Sequence, residues 1–190
     1  MENLNEEVKK ALQVLNDGGI ILYPTDTIWG IGCDATNPEA VKRIYELKQR
    51  SDSKSMLVLL DSDAKLNFYV DEVPDLAYDL IEMAEKPLTI IYDKARNVAP
   101  NLIAEDGSLG IRITKEEFSK NLCFRLRKAL VSTSANISGQ PSPVSFEDIS
   151  EEIKAGVDYV VGIRQNERQN PKPSSIMKLK ANGEIKIIRE

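Results

Sequence analysis

Short apolar runs alternate along the chain with stretches whose apolar residues recur at helical spacing, and this alternation is typical of α/β proteins. Helices are predicted over residues 4–15, 38–47, 74–84 and 118–126 and in a stretch that ends at 155. Strands are predicted over 20–23, 56–60, 88–92, 109–113, 130–131, 159–161, 175–179 and 185–188. Asn182-Gly183 predicts a β-hairpin between the last two. The predicted fold class is α/β: a twisted mixed sheet flanked by helices, in a single domain over residues 1–190.

The helix starts are predicted from residues that satisfy the free backbone N–H groups of a first turn. Asn5 and Asn37 are the predicted N-caps of the first two helices, and Pro38 suits the first helical position of the second. Ser145 and Asp148 have the spacing of a capping box, which predicts that the helix ending near residue 155 begins there.

Residues 20–34 combine a short buried strand with a polar segment, and they are the first candidate site. Pro24 ends the apolar run, because proline cannot donate a hydrogen bond to a sheet. Polar side chains follow at 25–27, and Gly30 and Gly32 free the backbone beyond them. Ligands of open α/β sheets bind outside the carboxyl ends of strands, so we expect a site here. The alternative is a strand followed by an ordinary proline turn and an Asx turn.

The composition excludes several kinds of chemistry. The 190 residues include no histidine, which excludes a histidine base, a histidine metal ligand and a Ser-His-Asp triad. The net charge of −5 argues against a surface that coats nucleic acid, although a local basic pocket stays possible. Cys33 and Cys123 lack metal-ligand spacing and are expected to be reduced thiols. No apolar run reaches membrane-spanning length and the first residues are polar and acidic, so we expect a cytosolic protein.

Basic and hydroxyl side chains cluster where predicted strands end, a combination that suits an anionic ligand. The clusters are Lys48, Arg50 and Lys54; Ser108 and Arg112; Ser132–Asn136 with Gly139 and Ser142; and Ser174-Ser175 with Arg189. An arginine that faces inward from an apolar strand, such as Arg112, needs an anionic partner. Alternatively, Lys48, Arg50 and Lys54 belong to a solvated surface loop, and the segment 132–136 is an ordinary polar turn. The sequence contains neither a P-loop nor a GxGxxG motif.

Four motifs together closely resemble the threonylcarbamoyl-AMP synthase family, also called YrdC-like. They are Y-P-T-D-T-I-W-G-I-G-C-D at 23–34, K-Q-R at 48–50, G-I-R at 110–112 and S-T-S-A-N-I-S-G at 132–139. The resemblance extends from about residue 18 to residue 189, and the length is that of the short bacterial form without an extra C-terminal domain. It implies a YrdC-like fold with a large basic cavity.

The resemblance also implies an activity. Members of the family join L-threonine, bicarbonate and ATP into threonylcarbamoyl-AMP and pyrophosphate, usually with Mg²⁺. Partner proteins then transfer the threonylcarbamoyl group to tRNA.

By position along the chain, the resemblance also implies roles for individual residues. Catalytic roles fall to Lys48 and Arg50. Threonine contacts fall to Thr27, Arg112, Ser132 and Ser174. Nucleotide contacts fall to Arg50, Lys54, Ser108, Ser134, Asn136, Ser142 and Arg189. No protein metal ligand is implied.

Three positions depart from the family pattern. Ser51 stands where proline is frequent, Leu59 where histidine is frequent near the threonine, and Lys178 where an aspartate is expected. Two alternatives to the synthase therefore stay open: a module that binds double-stranded RNA, and a fold relative with another reaction.

Overall fold

The computed structural model describes residues 3–51, 56–168 and 172–190, and within them nine strands form one mixed sheet. The strands are β1 (Ile21–Tyr23), β2 (Gly30–Gly32), β3 (Leu57–Leu60), β4 (Leu88–Tyr92), β5 (Leu109–Ile113), β6 (Leu130–Ser134), β7 (Tyr159–Val160), β8 (Ser175–Leu179) and β9 (Ile185–Arg189). Their order across the sheet is β7-β1-β2-β6-β3-β5-β4-β8-β9. Three neighbouring pairs are parallel (β1–β7, β3–β5, β4–β8) and five are antiparallel. The predicted mixed α/β sheet is confirmed.

The described residues contain six α-helices, and each buries at least one residue. They are α1 (Leu4–Asn16), α2 (Pro38–Leu47), α3 (Leu66–Tyr69), α4 (Asp75–Met83), α5 (Glu117–Leu126) and α6 (Glu151–Gly156). Helices α1 and α5 pack on each other and contact β1 and β3 respectively. Strand β1 is buried throughout, so the core runs between these helices and the sheet. No helix in the described ranges is both long and apolar enough to cross a membrane.

Two predicted helix starts are wrong. Helix α1 is capped by Asn3, whose side chain accepts a hydrogen bond from the backbone N–H of Asn5. Ser145 and Asp148 do interact, but the Ser145 backbone N–H and hydroxyl both donate to the Asp148 carboxylate and close a turn. Helix α6 begins later, with Ser150 as its N-cap. The Asn37 cap of α2 is confirmed.

Strand β2 was not predicted, and its glycines have a different role from the expected one. Neither Gly30 nor Gly32 has positive φ, so both keep an ordinary strand conformation. A Cβ at Gly32 would lie 2.5 Å from the Val131 carbonyl oxygen and 2.7 Å from the Tyr23 ring. These glycines therefore allow β2 to fit between β1 and β6, which brings the residue 24–29 loop next to β6.

Candidate functional site

A cavity of about 620 Å³ opens on one face of the sheet. Nine of the site residues predicted from the sequence line it: Thr27, Arg50, Ser108, Arg112, Ser132, Ser134, Ser142, Ser174 and Arg189. They come from distant parts of the chain, so the fold brings together residues that the sequence separates. Three of these nine are arginines, and none of the described lining residues is acidic. That the cavity as a whole carries a positive potential stays a prediction.

The strand register explains why these side chains share one face. Residues directly opposite each other on neighbouring strands point to the same side of a sheet. Arg112 on β5 lies opposite Leu59 on β3 and Thr89 on β4. Thr89 lies opposite Ile176 on β8, which in turn lies opposite Arg189 on β9. The cavity thus extends across one face of the sheet and also takes in the segment that follows the end of β1, while the binding of a ligand there stays a prediction.

Arg112 is buried and already has a carboxylate partner. Its guanidinium Nη2 lies 2.9 Å from Asp26 Oδ1, and the Arg112 side chain is only 4% exposed. Burial raises the pKa of Asp26, and the Arg112 charge opposes that shift. The contact is an ion pair without hydrogen-bond geometry at Asp26 Oδ1, and among the described residues Arg112 Nε has no hydrogen-bond partner. The predicted anionic partner of Arg112 is thus supplied by the chain itself, and Arg112 keeps a donor unused.

The loop between β1 and β2 is held by Thr25. Its hydroxyl donates to the Ile28 carbonyl at 2.6 Å and accepts from the Thr27 backbone N–H at 3.1 Å. The Thr27 hydroxyl lies 3.1 Å from the Thr25 hydroxyl. Arg164 adds a hydrogen bond of 3.3 Å to the Thr25 carbonyl. These bonds fix the place where Thr27 lines the cavity.

Ser174 and Arg189 line the cavity from the start of β8 and the end of β9, at the other end of the sheet from the β1–β2 loop. Arg189 Nε donates to the Ser174 carbonyl at 2.9 Å, which joins the end of β9 to the start of β8. The hydroxyls of Ser174 and Thr89 are 3.0 Å apart. Burial and the nearby Arg112 charge lower the pKa of Arg189. This part of the cavity therefore carries a guanidinium beside a pair of hydrogen-bonded hydroxyls.

Lys48 does not belong to the described lining of the cavity. It is 1% exposed, and its ammonium Nζ donates to the backbone carbonyls of Ser134 and Asn136 (2.6 Å to Asn136). Burial and the nearby Arg50 charge lower the pKa of Lys48 to about 8. Asn136 also turns away from the lining, since its amide Nδ2 donates to the Gln140 carbonyl at 2.8 Å. The two residues hold the K-x-R segment against the S-x-N segment.

The remaining predictions in this region have different outcomes. Arg50 lines the cavity just beyond α2, where Gln49 has positive φ and turns the chain. Lys54 lies outside the described residues. Leu59 is fully buried opposite Arg112 and forms an apolar part of the sheet. Lys178 pairs with Asp106 at 2.8 Å.

Sequence reasoning missed several residues of the cavity. Trp29 lines it and packs on Phe146 at 4.9 Å, and its buried indole Nε1 has no hydrogen-bond partner among the described residues. Thr89 and Ile91 line it from β4. A threonine within an apolar strand was visible in the sequence, and period-2 alternation would have placed Thr89 and Ile91 on one face.

The chain matches a family of known proteins and several members of it. The Sua5/YciO/YrdC family model, described as telomere recombination, matches residues 13–190. The threonylcarbamoyl-AMP synthase of Pseudoalteromonas translucida is 32% identical over 181 residues, which cover 94% of this chain and 95% of that protein. The putative threonylcarbamoyl-AMP synthase of Methanocaldococcus jannaschii is 35% identical, with 96% and 86% covered.

The fold is also similar to a solved structure. The crystal structure of P. abyssi Sua5 complexed with L-threonine superimposes with a TM-score of 0.82 at 24% identity. The match covers 90% of this chain and 50% of that one, so this chain corresponds to about half of the longer protein.

Proposed function

This chain belongs to the Sua5/YciO/YrdC family, and we propose from that premise that it is an L-threonylcarbamoyladenylate synthase. It forms threonylcarbamoyl-AMP and pyrophosphate from L-threonine, bicarbonate and ATP. One observation carries the proposal: nine residues to which the family resemblance assigns roles line one cavity, although they lie between residues 27 and 189. The product serves tRNA modification through partner proteins, in the cytoplasm.

The chemistry needs little from the protein beyond alignment and charge neutralisation. The threonine amine and bicarbonate give a carbamate and water. A carbamate oxygen then attacks the α-phosphorus of ATP, and the bond to the β-phosphate oxygen breaks to release pyrophosphate. Both the nucleophile and the leaving group come from the substrates, so a chain without histidine is sufficient. Alignment of two reactants contributes roughly 7–11 kcal/mol, and fixed positive charge stabilises the developing phosphate charge.

The proposed threonine site lies around Arg112. Its unused Nε donor suits a carboxylate, since an arginine can hold two carboxylates through different edges of its planar group. Asp26 contacts Nη2, and we assign the Nε donor to the substrate carboxylate. Thr27, Ser132 and Ser174 supply hydroxyls in the same cavity.

The proposed nucleotide site takes the rest of the cavity. Arg50 and Arg189 are the charged lining residues assigned to the triphosphate, together with the hydroxyls of Ser134 and Ser142. Lys48 contributes to catalysis through position: its bonds to residues 134 and 136 hold Ser134 next to the segment that carries Arg50.

Mg²⁺ is proposed to enter as the partner of ATP. The ion prefers oxygen ligands and is usually bound by substrate phosphates with few protein groups. The cavity offers hydroxyl oxygens, which suit such an ion, while the described residues contain no cluster of three acidic or cysteine side chains placed to hold a metal. The bound ion would neutralise phosphate charge.

Pyrophosphate release tests the proposed function. The purified protein is incubated with Mg-ATP, with and without L-threonine and with and without bicarbonate. We expect release only when both are present. Release that does not depend on threonine would point to a fold relative with another reaction, and no release with all substrates present would contradict the synthase.

The RNA-binding alternative is not favoured. Affinity for RNA phosphates requires several clustered cations, but the chain carries net charge −5 and two of its candidate cations, Arg112 and Lys48, are buried.

A further inference from the structure

Ser108 lies at the edge of the cavity with nearly all of its hydrogen-bonding groups already used. Its backbone N–H donates to Asp106 Oδ1 at 3.0 Å, and its hydroxyl donates to the same oxygen at 2.5 Å. Its carbonyl accepts the N–H of Ala104 at 3.0 Å. Ser108 is buried and lines the cavity. The lone pairs of the hydroxyl oxygen are the groups that remain for a ligand.

The direction of the hydroxyl bond follows from the state of Asp106. Lys178 donates to Asp106 Oδ2 at 2.8 Å, and this bond, together with the bonds from Ser108, lowers the pKa of Asp106 to about 2. The carboxylate is therefore ionised at neutral pH and only accepts hydrogen bonds. Since Asp106 has no proton to give, the shared proton must be that of Ser108.

Lys178 secures this arrangement from outside the cavity. Its ammonium lies between two carboxylates, 2.8 Å from Asp106 and 3.7 Å from Asp93. Residue 178 is the position where the family pattern has an aspartate. A third carboxylate here would repel Asp106, whereas the lysine holds it against Ser108. The departure in the sequence thus acts on a residue of the cavity.

We infer that Ser108 is a hydrogen-bond acceptor toward the cavity, and that it recognises a donor group of the bound nucleotide, either a ribose hydroxyl or the exocyclic amine of adenine. The nucleotide in this statement rests on the proposed function, whereas the acceptor character rests on the bonds of Ser108 itself. A phosphate oxygen is excluded as its partner, because ionised phosphate also presents acceptors. Asp106 acts through Ser108 and is a positioning residue.

Calorimetric binding to a set of nucleotides tests the inference. ATP carries all the candidate donors. Three analogues each lack one of them: 2′-deoxy-ATP lacks the 2′-hydroxyl, 3′-deoxy-ATP the 3′-hydroxyl and inosine triphosphate the exocyclic amine. Inorganic tripolyphosphate lacks them all. We expect the wild type to bind one analogue roughly two- to tenfold more weakly than ATP, the range for one neutral hydrogen bond. Ser108→Ala should bind ATP as weakly as that analogue and should leave tripolyphosphate binding unchanged.

Two pairs of variants separate this effect from a general disturbance. Ser142→Ala removes another hydroxyl of the cavity, and the ratio of the Kd for the weakly bound analogue to the Kd for ATP should stay at its wild-type value. Asp106→Asn should abolish that ratio, because an amide can donate to the Ser108 oxygen and release its proton toward the ligand. Lys178→Met leaves Asp106 ionised but removes the bond that holds its carboxylate in place, so it should reduce the ratio of the two Kd values without abolishing it.

The outcomes distinguish the inference from the proposed function. Equal weakening of tripolyphosphate and ATP in Ser108→Ala, or equal weakening of all four nucleotides, would overturn the inference even with normal turnover. The expected binding pattern without threonine-dependent pyrophosphate release would support the inference and contradict the proposed function. Absence of any ATP binding to the wild type would overturn both.

Discussion

Lys48 illustrates how one residue can matter to a site that it does not line. Its ammonium bonds the carbonyls of residues 134 and 136, so it ties the end of α2 to the end of β6. A charged group with 1% exposure is costly to bury, and the lowered pKa of about 8 expresses that cost. The structure thus gives Lys48 an architectural role, and the catalytic role that the family resemblance implies stays a prediction.

This burial predicts a characteristic pH dependence. Between pH 8 and 10.5 the unfolded chain keeps the Lys48 proton while the folded chain releases it, so the folded state gains stability as pH rises. The free energy of unfolding of the wild type, minus that of Lys48→Met, should rise by roughly 2–3 kcal/mol across this range. Urea denaturation at each pH measures both values.

The subtraction is needed because other groups titrate in the same range. Burial raises the pKa of Tyr23 and Cys33, and these groups destabilise the folded state as pH rises. Both are present in wild type and variant, so their effects cancel. A difference that stays constant from pH 8 to 10.5 would mean that folding does not lower the pKa of Lys48.

Two of the three cavity arginines should have separable kinetic effects. Arg112→Ala should mainly raise the threonine KM, and Arg50→Ala should mainly weaken the use of ATP. Because each variant loses a hydrogen bond to a charged group, we expect the KM for the affected substrate to rise roughly 10- to 100-fold. Steady-state pyrophosphate release with either substrate varied measures both constants.

Arg43→Ala is the matched control for these arginine variants. Arg43 forms a bidentate ion pair with Asp158 on the surface, with hydrogen bonds of 2.8 and 3.0 Å, and it lies outside the described cavity lining. Both KM values should remain at the wild-type level in this variant. Wild-type constants in Arg50→Ala and Arg112→Ala would show that the substrates bind elsewhere.

At the level of elements, local chemistry predicted the regular parts of the fold. Strands β4 and β5, the Asn37 cap of α2 and the final hairpin all agree with their predictions, because each has a strong local pattern. Strand β2 has the sequence Gly-Ile-Gly, which carries no strand propensity, and only pairing with β1 and β6 makes it a strand. The candidate site residues were predicted from the family resemblance, but their neighbours were not. The Asp26–Arg112 and Lys48–Ser134 contacts join distant segments that no local pattern relates.

Two strand glycines give a test of how tightly β2 is packed. Gly32→Ala would place a methyl group 2.5 Å from the Val131 carbonyl and 2.7 Å from the Tyr23 ring, where both atoms belong to a buried hydrogen-bonded unit. We expect a loss of roughly 1–3 kcal/mol in the free energy of unfolding, the usual range for overpacking. Chemical denaturation measures it.

Gly110→Ala is the control for this substitution. A methyl group at Gly110 would meet its nearest neighbours, Leu57 and Thr89, at 3.4 Å, which is ordinary contact. Stability should be unchanged or higher by up to about 1 kcal/mol, because alanine reduces the freedom of the unfolded chain. Equal stability of the two variants would contradict the close fit of β2.

At the level of the whole molecule, the cavity draws on both halves of the sheet. Thr27 belongs to the β1–β2 loop, while Ser174 and Arg189 belong to the far edge formed by β8 and β9. Arg112 lies between them on β5. A ligand that contacts all of these groups binds only the folded arrangement, so ligand binding and folding are coupled.

This coupling predicts a thermal shift that separates the two proposed subsites. A ligand at 100 times its Kd stabilises the folded state by about 2.7 kcal/mol, which for a chain of this size corresponds to a Tm increase of roughly 5–10 °C. We expect such a shift with Mg-ATP and a further one with threonine. Arg112→Ala should lose the threonine shift at the same concentration and keep the Mg-ATP shift, whereas Arg50→Ala should show the reverse. Loss of both shifts in both variants would mean that the two ligands bind one undivided site, and scanning calorimetry of the three proteins decides between these arrangements.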